Sequence, residues 1–330
     1  MTRTQWQDYI RPAAISNILC VLVGFVLWMD FAHWGAEVPV ESGSYAFNYV
    51  AEWLVDKPLF SRLIDLVLVL SMAFLILRLN EIHSFIRVRT ILPSALCILF
   101  SGLLLQPHHL TSGAIVTLLL FASISAALTL TNENSQVHTF NIGLLLGIAG
   151  LVYPISLSYL VVFFYFYYNF NILNLRTFLS TLTGAFLPLC YGSIAMLATG
   201  HANIFRNYLN PTTHLQIWIH EFEEVQLAYM VVSGVVLVGC MVYIWFNYQK
   251  EALKPRRMFS FFVQLLLFTL LLMLISRSGF GNLLYMFIIL SSIIIGRVYS
   301  TTVTESKISL WSFRFLAVAS VAYTIYVLTV

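Results

Sequence analysis

Four ionisable side chains follow one another in the stretch WMDFAHWGAEVPVE, namely Asp30, His33, Glu37 and Glu41. Asp30 closes an apolar run able to enter a bilayer. A carboxylate at such a boundary can rest solvated at the interface, or it can take a proton from a hydroxyl as a general base. His33, Glu37 and Glu41 follow within eleven residues, company that a merely solvated interfacial acid does not need.

Arg62 and Asp65 are three residues apart, so on a helix they share one face. In the first turns of an apolar segment that pair is costly unless the two groups bridge or line a wet cavity. One reading is an ion pair that fixes the helix against the bundle, and the other is that the two groups line a wet cavity. His108 and His109 sit in a turn after Gln106-Pro107. Adjacent residues point in different directions, so the pair is a poor bidentate metal site. It serves as a solvated turn or lends one imidazole to a substrate site completed elsewhere.

The segment 200–224 mixes apolar residues with Arg206, His214, Glu221, Glu223 and Glu224. Such a composition suits a stretch lying along a membrane surface, or a lid carrying Arg206 and His214 over a cavity. Its three acids could bind a divalent cation, although their spacing is not diagnostic. Arg277 lies in Ser-Arg-Ser-Gly-Phe-Gly-Asn, where Gly279 and Gly281 let backbone amides approach an anion and the planar guanidinium suits phosphate. Plain snorkelling to the interface explains one such arginine equally well.

What must position these groups is a membrane fold. Hydrophobic residues make up 60% of the 330-residue chain and charged residues 9%, far from the roughly 45–50% and about 25% of soluble domains. No polar block is long enough to fold separately, so residues 1–330 form a single integral membrane domain. A span needs about 20 mostly apolar residues. On that basis the all-α chain is predicted to be a polytopic bundle of about eleven spans: 13–29, 59–79, 91–106, 111–131, 139–153, 155–170, 177–199, 225–247, 258–276, 279–297 and 309–329. The fifth and sixth meet at Tyr153-Pro154, where proline breaks the helix. They form either two crossings or a re-entrant hairpin. The first run is read as a retained helix, not a removed leader.

Orientation follows from the basic residues. Of the 17 Lys and Arg, thirteen fall on one side of this eleven-span scheme, while Lys57, Arg62, Arg206 and Arg277 fall on the other. The expected topology therefore has the N-terminus inside and the C-terminus outside, in a plasma or inner membrane. The two large outer loops are 30–58 and 200–224. Six of the eight histidines and most of the acids then gather outside. Basic clusters such as Lys250 to Arg257 are explained as topology signals and lipid-headgroup contacts.

A formal net charge of +3 spread over short loops does not suggest a nucleic-acid surface. No nucleotide-binding glycine motif, HExxH or cysteine cluster is present. The cysteines, all inside apolar runs, are expected to be free thiols. The aromatic run 161–170 reads by default as an interfacial belt, with a groove for a long isoprenoid or acyl chain as the alternative.

The first helix ending in Asp30, the long outer loop with further acids and Arg62 opening the next span resemble the C-type membrane glycosyltransferases and the related O-antigen polymerase-like proteins. The section from Asn80 through Arg87, Arg89 and Pro93 to Phe140, Gly143, Gly147, Gly150 and Pro154 resembles an uncharacterised family of Bacteroidota integral membrane proteins. The first resemblance implies a polyprenyl-phosphate sugar donor, Asp30 in the place of the catalytic base with Glu37 or Glu41 as substitutes, outer Arg or His residues on the phosphate, and often a divalent metal. By location, Arg62, Arg206 and Arg277 are the phosphate candidates. The tandem acidic pair common in that superfamily is replaced here by Asp30-Phe31. The expected role is glycan or glycolipid assembly in the envelope, with membrane lipid and envelope-assembly proteins as partners. A lipid-linked glycan transporter and a non-catalytic scaffold subunit are the alternatives.

Overall fold

The computed structural model describes residues 5, 8, 10, 11, 14–28, 47, 53–54, 57–84, 86, 88–105, 108–130, 135–198, 224–247, 253–276, 280–303 and 307–329. Among these, eleven α-helices and one 3-10 helix account for the regular structure. They are α1 Ala14–Trp28, α2 Pro58–His83, α3 Leu92–Leu104, α4 Ser112–Leu128, α5 Ser135–Val152, the 3-10 helix Pro154–Tyr159, α6 Leu160–Asn169, α7 Leu175–Ala198, α8 Glu224–Asn247, α9 Leu253–Ile275, α10 Phe280–Thr302 and α11 Lys307–Thr329. Six of them, α2, α7, α8, α9, α10 and α11, are long and apolar enough to cross a membrane. The helices α3, α4 and α5 are apolar but shorter.

The sequence dictates most of the boundaries. Prolines open α2 and α3 within the first turn, where the missing N–H has no helical partner to lose. Thr111 caps α4, its side chain accepting from the Ala114 amide at 3.3 Å. At Tyr153-Pro154 the chain leaves α5, makes the 3-10 helix and re-enters an α-helix at Leu160. After α2, Ser84 takes a left-handed conformation with φ 49. Buried Asn80 then turns the chain, its side chain accepting from the Ile86 amide at 2.9 Å and donating to the Val88 carbonyl at 3.3 Å.

Successive helices alternate in direction, which gives the bundle two distinct ends. At one end, the start of α2 meets the start of α4, where the Leu110 amide donates to Ser61 Oγ at 2.8 Å. The start of α10 joins them, Asn282 Oδ1 accepting from the Gly113 amide at 3.0 Å. The start of α8 is there too, Gln226 Nε2 donating to the Leu104 carbonyl at 3.3 Å. This is called the Asp65 end below. At the opposite end Gly296 packs on Pro93, the Ile91 amide donates to the Ile10 carbonyl at 2.8 Å, and Arg297 lies against Phe259.

Helix α10 is the axis, buried along nearly its whole length and packed on α2, α3, α4, α8, α9 and α11. The tightest pair is α5 with α7. A side chain at Gly143 would strike the Thr181 carbonyl, one at Gly147 the Ala185 carbonyl, and one at Gly184 the Phe140 carbonyl. Backbones touch at all three, the small-residue packing that lets helices associate where lipid offers no hydrophobic driving force. Because increasing numbers pair with increasing numbers, α5 and α7 run parallel. The return between them is made by the 3-10 helix and α6, which lie on α9 through Tyr159 with Thr269 at 2.8 Å and Phe166 with Phe261 at 4.4 Å between ring centroids.

Candidate functional site

The polar groups of the Asp65 end are collected by four helices. Asp65 stands two turns inside α2 and is 0% exposed. A carboxylate so placed is costly unless its oxygens are engaged, and both are. Trp28 Nε1, at the last residue of α1, donates to Oδ2 at 3.1 Å. The Tyr285 hydroxyl of α10 donates to Oδ1 at 2.9 Å. The carboxylate thus ties α1, α2 and α10 together. Of the two readings open for the Arg62/Asp65 pair, this arrangement replaces a bridge within one helix by hydrogen bonds from two others.

Trp28 has a second role. Its indole stacks on the His108 ring at 4.3 Å between centroids and 19° between planes. His108 is accordingly buried, at 3% exposure, while His109 is half-buried. The turn is therefore not simply solvated. Leu110, donating to Ser61, fixes it to the first turn of α2. Arg62 follows Ser61 and is 5% exposed, one turn nearer the helix start than Asp65. Arg62, Asp65, Trp28, His108 and Tyr285 are thus drawn into one region by residues distant in sequence.

The structure consequently places three of the candidate substrate-binding residues, Arg62, His108 and His109, at one end of the bundle. Asp30, Glu37, Glu41, Arg206, His214 and Arg277 lie outside the described residues. So do Glu221 and Glu223, two of the three acids considered for a cation. Among the described residues no group of three or more His, Cys, Asp or Glu side chains is placed to hold a metal ion.

Chemically, Arg62 contributes a nearly buried guanidinium, a group whose planar shape suits anions, and His108 contributes an imidazole at the same end of the bundle. Asp65 is a positioning group: each of its oxygens already accepts a hydrogen bond, and no part of it is open to a substrate hydroxyl. Sequence reasoning passed over Trp28, Ser61, Asn282 and Tyr285. An acid inside an apolar run predicts donors somewhere in the bundle, but it does not say which helix brings them. Comparison with protein-family models, curated proteins and solved structures finds no match for this chain.

Proposed function

We propose that the protein is an inner-membrane component of envelope glycan or glycolipid assembly that transfers a sugar from a polyprenyl-phosphate carrier at the outer face. In this reading the N-terminus is inside, the segment 139–170 makes two crossings or a re-entrant hairpin with the same outcome for the rest of the chain, and the Asp65 end faces outward. The acceptor hydroxyl attacks the anomeric carbon and gives its proton to a carboxylate of the first outer loop, Asp30 or else Glu37 or Glu41. The bond from that carbon to the phosphate oxygen breaks, and the polyprenyl phosphate leaves with the electron pair. Arg62, with Arg206 and Arg277, neutralises the phosphate charge. His108, His109 and His214 take part in holding the substrate.

The observation that supports this reading is that Arg62 and the Trp28–His108 stack lie at the same end of the bundle, the end from which loop 30–58 departs and to which it returns. A guanidinium as nearly buried as that of Arg62 acts through little intervening water.

The test profiles lipid-linked glycans by mass spectrometry in a deletion strain complemented with wild type, Arg62→Ala or Asp30→Asn. The expected result is accumulation of a lipid-linked precursor in the deletion strain and in both variants, with turnover lowered by about a hundredfold for loss of one charge-stabilising group. Full product from both variants at normal protein level would eliminate sugar transfer here. Loss of product in the deletion strain that a variant lacking both side chains still restores would assign the chain to the non-catalytic class.

A further inference from the structure

Helix α9 gives one face to the bundle and leaves the other outside it. Phe261, Phe262, Leu265, Leu266 and Thr269 are buried, and the helix packs on α10 and α6, Phe261 meeting Phe166 and Thr269 meeting Tyr159. The other face is the stripe Ser260, Gln264, Leu267, Leu271 and Leu274. Its spacings alternate four and three, the repeat of helices lying side by side. All three leucines are at least half exposed, and Ser260 and Gln264 are half-buried.

Gln264 is out of place in this stripe. It lies one residue from the middle of the stretch Pro255–Ile275, which is long and apolar enough to cross a membrane. At that depth a carboxamide meets neither water nor a lipid headgroup. Its Nε2 donates to Ser260 Oγ at 3.1 Å, one turn back on the same helix. Its Oε1 accepts from none of the described residues and is turned in against the protein. An unmade hydrogen bond in hydrocarbon is costly, and a change of rotamer in this half-buried side chain presents the oxygen to a neighbouring helix.

A carboxamide carries both donors and an acceptor, so two of them satisfy each other. Copies of one chain share one orientation in a membrane, and a two-fold axis along the membrane normal brings identical residues of facing helices to the same depth. Any other partner would need its own polar group at the depth of Gln264, whereas a second copy supplies one by symmetry. We propose that the protein forms a two-fold homodimer through α9, the Gln264 Nε2 of each copy donating to Oε1 of the other while Leu267, Leu271 and Leu274 pack beside them. Lipid gives apolar side chains no hydrophobic reason to associate, so the reciprocal hydrogen bonds select the register and the leucines supply the contact. The interface uses no residue of the Asp65 end, holds for either orientation of the bundle, and is independent of the sugar-transfer reading.

The experiment places the full chain, carrying a C-terminal fluorescent protein, in liposomes and counts photobleaching steps as the protein-to-lipid ratio is raised. Wild type is expected to pass from single to double steps. Gln264→Leu should need about tenfold more protein per lipid to reach the same dimer fraction, the loss of two hydrogen bonds of the strength usual between membrane helices. Its melting temperature at high dilution should be unchanged, because the side chain lies on the face that α9 leaves outside the bundle. Cross-linking reads the geometry in a protein otherwise free of cysteine. On oxidation with diamide in membranes, Leu271→Cys should give a disulfide-linked dimer, and Phe74→Cys, at an exposed position of α2, should not. Single steps at every ratio would overturn the proposal, as would a dimer equally stable in Gln264→Leu or cross-linking through Phe74→Cys in place of Leu271→Cys.

Discussion

Trp28 and Asp65, 37 positions apart, meet at 3.1 Å through the indole N–H and one carboxylate oxygen, and the same indole ring carries His108 on its face. One side chain therefore couples the end of α1, the interior of α2 and the turn before α4. Tyr285, 220 positions from Asp65, adds α10 to the same carboxylate. The Asp65 end is organised by a buried acceptor with donors from two other helices, a device that fixes which helices are neighbours as well as how far they insert.

Removing that acceptor leaves two donors buried without it. Asp65→Ala is expected to destabilise the protein by about 2 kcal/mol or more, since each stranded donor costs about 1–3 kcal/mol. Tyr285→Phe should cost about 2 kcal/mol by itself, because it takes a hydrogen bond from a carboxylate. In the Asp65→Ala background it should cost close to nothing. Thermal unfolding in detergent of the four members of this cycle measures the coupling. Additive losses would show that Tyr285 stabilises the bundle by packing alone.

The α5 and α7 pair makes a separate prediction. At Gly147 and Gly184 the nearest obstacles are backbone atoms of the partner helix, which cannot rotate aside. Gly184→Leu should force the helices apart, costing several times the roughly 1 kcal/mol scale of ordinary substitutions. Gly234→Ala is the control, since nothing lies within 4 Å of the added carbon, and it should be neutral or slightly stabilising through helix propensity. Comparable melting temperatures for the two would remove close backbone packing as what holds this pair.

Helix positions were legible in the sequence because each is written locally. The run 59–79 became Pro58–His83, 225–247 became Glu224–Asn247, and the break at Tyr153-Pro154 became a 3-10 turn. What faces what was not legible. The aromatic run 161–170 reads as an interfacial belt, yet Phe163, Phe166 and Tyr167 are buried against the rest of the bundle while Val161, Tyr165 and Tyr168 look outward. In a membrane chain, apolar character cannot distinguish a lipid neighbour from a protein one. The same blindness applies at the site: Arg62 and Asp65 announce a cost that something must offset, but Trp28 and Tyr285, which offset it, look like any other aromatic residues until the helices are assembled.

Cysteine chemistry gives an inexpensive check of that assembly. Cys97 and Cys240 are buried, and Cys190 on α7 is exposed. In a Cys20→Ser background, brief treatment of the detergent-purified protein with a small maleimide should label Cys190 first and spare the other two until the bundle is unfolded. Mass spectrometry of the peptides reads the order directly. Early modification of Cys97 would contradict the packing of α3 on α10.

The alternation of the helices turns the orientation proposal into a measurement. Lys57 precedes α2 at the Asp65 end, with its ammonium 4.1 Å from the centroid of the Trp53 ring, and Lys307 opens α11 at the opposite end. Each is replaced by cysteine in a protein otherwise free of cysteine, and intact cells are treated with a membrane-impermeant maleimide. Lys57→Cys is expected to react in intact cells, and Lys307→Cys only after permeabilisation, because basic residues collect on the cytoplasmic side. Reversed labelling would turn the Asp65 end inward, away from any carrier presented outside, and the sugar-transfer reading would fail with it. Labelling of both positions from the same side would contradict the alternation itself, which rests on the Leu110 to Ser61 and Ile91 to Ile10 hydrogen bonds at opposite ends of the bundle.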